Sequence, residues 1–69
     1  MCNWKIEIIL NSGKEITAYY RGEEYTSDAV ARKVFVGNSN NLTGLNNEDG
    51  TKNIFIRLGS IEYVAISAC

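Results

Sequence analysis

The chain of 69 residues is 45% hydrophobic and carries seven basic against eight acidic side chains, for a net charge of −1. A chain this short builds one thin core and buries only about 60% of its unfolded surface, so residues 1–69 are read as one small domain and multi-domain enzymes are excluded. The near-neutral charge lacks the basic footprint of a duplex-DNA binder. The absence of histidine removes the commonest general base near neutral pH and every triad that needs an imidazole.

At the N-terminus, Lys5 and Glu7 interrupt the apolar residues and the longest apolar run is Ile8 to Leu10. That pattern is neither a secretory leader nor a membrane span, so a cytoplasmic location and no membrane partner are expected. Trp4, Ile6, Ile8 and Leu10 alternate with Lys5, Glu7 and Ile9, the period of a strand with one buried face. Ile16, Ala18 and Tyr20 repeat that period in a second strand over residues 15–20. A three-residue loop, Asn11-Ser12-Gly13, sets Ile8 against Ile16 and Ile6 against Ala18, whereas a two-residue loop would put Ile8 against Thr17.

Thr26 or Ser27 then caps a helix of about ten residues with Asp28 in its first turn, Arg32 and Lys33 near its end and Gly37 to stop it. Its apolar stripe, Val30, Ala31, Val34 and Phe35, must dock on a sheet for so short a helix to persist. Residues 38–53 read as a long polar loop with Asp49-Gly50 as a turn. Residues 54–65 read as a second hairpin about a type II′ turn at Gly59-Ser60, with Ile56 facing Tyr63 and Phe55 facing Val64. The expected fold is α+β, ordered β-β-α-β-β, with a four-stranded antiparallel sheet covered on one face by one helix. A small half-open β-barrel is the alternative.

Chemical motifs do not survive inspection. Gly37 and Gly44 have the glycine spacing of a phosphate loop, but Leu45 and Asn46 stand where its Lys and Ser or Thr belong. Glu48 and Asp49 lack the alternating ligand spacing of a calcium loop. Glu23 and Glu24 are adjacent in a turn and point apart, so no catalytic residue, metal or cofactor is assigned and the chain is read as a non-enzyme. Cys2 and Cys69, at opposite ends, are expected to be free cytosolic thiols, the alternatives being a terminal staple or an intermolecular disulfide. Without a secretion signal, the Asn41-Leu42-Thr43 sequon is read as coincidence.

The sheet face opposite the helix is more informative. Tyr19, Phe55, Val64 and Ile66 are expected there, with Arg57 at the edge, an exposed patch near or above the size that soluble monomers usually tolerate. These five residues are the candidate partner-binding set, for self-association or for a second protein. Tyr20 and Arg21 form a smaller candidate site, since an aromatic ring beside a guanidinium can hold a nucleotide or an RNA base.

The stretches Trp4 to Arg21 and Ile54 to Val64 resemble the strand motifs of Sm-like RNA-binding rings, which implies an oligomer that binds nucleotides or RNA. The compact, Asn- and Ile-rich chain as a whole resembles accessory proteins of phages and prophages of low-GC bacteria. That resemblance implies a cytoplasmic inhibitor of host defence, a homo-oligomer that sequesters a host protein or a small nucleotide. Neither resemblance assigns a role to a residue.

Overall fold

The structure, a computed structural model, describes residues 3–36 and 41–69. Five strands, β1 (Trp4–Leu10), β2 (Glu15–Tyr20), β3 (Leu42–Asn46), β4 (Asn53–Arg57) and β5 (Ile61–Ala68), form one antiparallel sheet in the order β4-β3-β2-β1-β5. The helix α1 (Ser27–Ala31) lies between β2 and β3 and runs on as a π-helical turn over Arg32–Val36. Among the described residues no helix is long and apolar enough to cross a membrane.

The first hairpin has the register that the alternation requires: Ile8 opposite Ile16, Ile6 opposite Ala18 and Trp4 opposite Tyr20. Gly13, at φ 90°, makes this turn possible, and its N–H donates to the Leu10 carbonyl at 2.8 Å. Thr26 caps α1, its Oγ1 accepting from the Ala29 N–H at 3.2 Å. Val30 and Val34 then reach the core, where they meet Ile6, Ile8, Ala18, Leu45 and Ile56, with Phe35 packed at the margin. The expected helix stop, Gly37, lies outside the described residues.

Three expectations need correction. The sheet has five strands rather than four, because residues 42–46 are a strand and not part of a loop. Thr43, only 2% exposed, occupies a core position on β3, so the apolar period of two is masked there by a hydroxyl. Residues 38–40 of that loop lie outside the described residues, and apart from Asn41 what remains of it is the turn over residues 47–52. There the Asn47 N–H donates to the Lys52 carbonyl and Asn47 Oδ1 accepts from the Lys52 N–H, each at 3.1 Å.

The second hairpin does not exist. β4 pairs with β3, placing Phe55 opposite Gly44, and β5 pairs with β1, placing Val64 opposite Ile8 and Ile66 opposite Ile6. Gly59 is not at positive φ; it lies in a 3₁₀ turn, Leu58–Ser60, that joins strands at the two edges of the sheet. In a flat sheet those edges would be roughly 19 Å apart. The backbone from Arg57 to Ile61 spans at most about 14 Å, so the sheet must roll toward itself. It is not closed into a barrel, since no ladder joins β4 to β5. Asn11 holds the connector in place, its N–H donating to the Ser60 carbonyl at 2.8 Å and its side-chain amide to the Gly59 carbonyl at 3.2 Å.

Cys69 is disulfide-bonded, against the expectation of a free thiol. The β1–β5 ladder runs to the end of the chain, with Trp4 opposite Ala68 and the Cys69 N–H donating to the Asn3 carbonyl at 3.2 Å. Cys2 lies outside the described residues.

Candidate interaction face

Alternation along each strand sorts the proposed binding residues onto two faces. On β2, Ala18 is buried in the core, so Tyr19 points to the face away from α1, where it lies between Lys5 of β1 and Asn46 of β3. On β4, Ile56 is buried, so Phe55 and Arg57 join Tyr19 on the open face. Phe55 is 69% exposed, and its ring lies along Gly44, 3.1 Å from where a side chain there would begin. Leu42, 46% exposed, lies opposite Arg57 in the adjoining row. The result is a small apolar platform, Phe55 and Leu42, with Arg57 at its rim and Tyr19 on the far side of β3.

Val64 and Ile66 do not belong to this face. They are half-buried and packed on the core, and the large hydrophobic side chain that β5 leaves exposed is Tyr63, opposite Ile9. A register shift causes the exchange. Ile9 faces Tyr63 and Leu10 faces Ile61, which leaves Glu62 as the extra residue of a bulge. Counting by twos from Ile61 therefore puts every later side chain of β5 on the wrong face. Tyr63 and Leu42 are the residues that the sequence reading missed. The bulge hid Tyr63, and the interrupted alternation of β3 hid Leu42.

Beside Tyr63 the face holds a shallow depression of about 190 Å³ lined by Glu7, Ile9, Glu15, Thr17 and Ala65 among others. Among the described residues no three His, Cys, Asp or Glu side chains gather as a metal site.

Tyr20 and Arg21 are adjacent in sequence but serve different neighbours. Tyr20 turns to the core margin, and its hydroxyl donates to Glu24 Oε1 at 2.9 Å. Burial, and then this bond to a carboxylate, raise its pKa above the ordinary value. Arg21 reaches over the 47–52 turn, with Nη2 3.2 Å from where a side chain at Gly50 would begin. The phenol is thus already engaged by Glu24, and the guanidinium is directed to another part of the surface.

Comparison with known protein families, with curated proteins and with solved structures finds no match to this chain.

Proposed function

We propose that this chain is a non-catalytic binding protein that self-associates and uses its open sheet face to occupy, and so inhibit or sequester, a partner protein of its host. The supporting observation is Phe55, a large aromatic ring left 69% exposed on a strand whose neighbours Ile54 and Ile56 are turned inward. An aromatic anchor beside an aliphatic side chain and an arginine is the residue chemistry that dominates protein interfaces. A solvated strand face would ordinarily place a polar residue there. Tyr19, Leu42 and Arg57 extend the surface around Phe55, while the buried side chains that hold the fold lie on the other face.

The test is a comparison of wild type with Phe55→Glu in affinity capture from the native host, with circular dichroism on both. Loss of a central anchor costs on the order of 2 kcal/mol or more, so the expected result is at least ~30-fold weaker retention of the partner with an unchanged spectrum. Equal retention by the two proteins would remove Phe55 and its face from the interface.

A further inference from the structure

β5 runs for eight residues along one edge of the sheet and pairs on one side only, with β1. Which of its backbone groups are free follows from the ladder. Asn3 and Cys69 continue the register that sets Trp4 opposite Ala68, and the Cys69 N–H donates to the Asn3 carbonyl. They are therefore a hydrogen-bonded pair. Such pairs alternate with non-hydrogen-bonded ones along an antiparallel ladder. Lys5–Ser67, Glu7–Ala65 and Ile9–Tyr63 are then the bonded pairs, and Val64, Ile66 and Ala68 direct their N–H and C=O groups away from the sheet. Among the described residues no strand receives them.

We propose that a second copy of this chain receives them, pairing its own β5 antiparallel to the first about a two-fold axis through Ala65. This pairing gives the self-association proposed above its surface, and it rests on that reading. The edge is complementary to itself in this register. Val64 of one copy bonds Ile66 of the other, twice over, which joins the free groups of both residues. Ala65 meets Ala65 at the non-hydrogen-bonded position, where Cα atoms come within about 4.5 Å and small side chains fit. Glu62, the one charged residue of β5, meets Ala68 rather than its own copy. On the α1 side, a shallow cleft of about 290 Å³ lies between Ser27, Asp28 and Ala31 of the helix segment and Val64 and Ile66 of the strand. The apolar side chains of a second β5 would lie beside that cleft. The opposite edge, β4, offers five residues and carries Arg57 and Asn53 at its ends, a weaker template. An isologous contact of this kind uses up the edge and stops at a dimer.

The decisive variant is Ala65→Lys. Within one chain it places an ammonium opposite Glu7, a favourable cross-strand pair, whereas in the dimer it sets two ammonium groups against each other on the axis. Light scattering should give twice the 7.7 kDa chain mass for wild type and the single-chain mass for Ala65→Lys, with matching circular dichroism spectra. Amide hydrogen exchange on wild type gives a second readout. In the dimer the Val64 and Ile66 amides should be protected, although among the described residues they have no acceptor within their own chain. A dimer that survives Ala65→Lys but is lost in Phe55→Glu, or rapid exchange of those two amides in a dimer, overturns the pairing and leaves self-association standing. A monomeric wild type at high micromolar concentration overturns both. A species larger than a dimer overturns the two-fold arrangement.

Discussion

Tyr20 and Glu24 are hydrogen-bonded across Gly22, and the space between them leaves no room for a side chain on that glycine. A methyl group there would overlap Glu24 Oε1 and come within 2.6 Å of the Tyr20 ring and hydroxyl. The glycine therefore permits a close approach that ties the end of β2 to the segment entering α1. Gly22→Ala should displace the flexible Glu24 carboxylate and lose the bond, at a cost of about 1 kcal/mol. Tyr20→Phe should cost a similar amount, and because both changes remove the same contact their effects should fall well short of adding. Full additivity in chemical denaturation would show that the bond contributes nothing. The pH dependence follows from the direction of the Tyr20 shift. Its folded pKa lies above the ordinary 10.0, so its contribution is complete below pH 10 and is lost as pH rises through the higher folded value. Wild type should show an alkaline loss of stability above pH 10 that is reduced in Tyr20→Phe, measured by denaturant titration at a series of pH values.

Gly13 and Gly59 make a matched test of the two turns. Gly13 is at φ 90° in the β1–β2 hairpin, where any side chain is strained, so Gly13→Ala should cost about 1–2 kcal/mol. Gly59 is not at positive φ, and nothing lies within 4 Å of a side chain built there. Gly59→Ala should stay within about 0.5 kcal/mol of wild type. A large cost at Gly59 would restore the type II′ hairpin and with it a β4–β5 ladder.

The contrast between those glycines shows which part of the fold is legible in sequence. β1, β2 and α1 are local objects: a period of two on each side of Gly13, then Thr26 followed by Val30 and Val34 at helical spacing. β5 is not local. Tyr63 and Val64 are equally good partners for Ile56 and Phe55 nearby or for Ile9 and Ile8 more than 50 positions away, and apolar matching alone cannot choose between them. The ladder with β1 runs seven pairs and brings Cys69 to Asn3, and no feature of residues 54–68 taken alone records that gain. For the candidate face the outcome divides in the same way. Tyr19, Phe55 and Arg57 lie on strands without a bulge, and their side is read correctly. Val64 and Ile66 follow the bulge at Glu62, and their side is inverted.

The disulfide at Cys69 bears on that same long-range closure. Cys69 follows directly on β5 and its N–H is bonded to Asn3 at the start of β1, so the covalent bond is formed where the non-local ladder ends. Non-local pairing carries the largest loop-closure cost in the chain, and a cross-link that restrains the unfolded state offsets part of it. Cys69→Ser should therefore lower stability by about 2–4 kcal/mol. In a domain of this size that corresponds to a fall in melting temperature on the order of 10 °C or more. Reductant should lower the melting temperature of wild type by a similar amount and leave Cys69→Ser unaffected. Equal melting of oxidised and reduced wild type would mean that the β1–β5 ladder closes without help from the bond. The result also bears on where the protein acts. Disulfides persist in oxidising compartments and are rare in the cytosol, so dependence on Cys69 for stability at physiological temperature would point to an oxidising compartment.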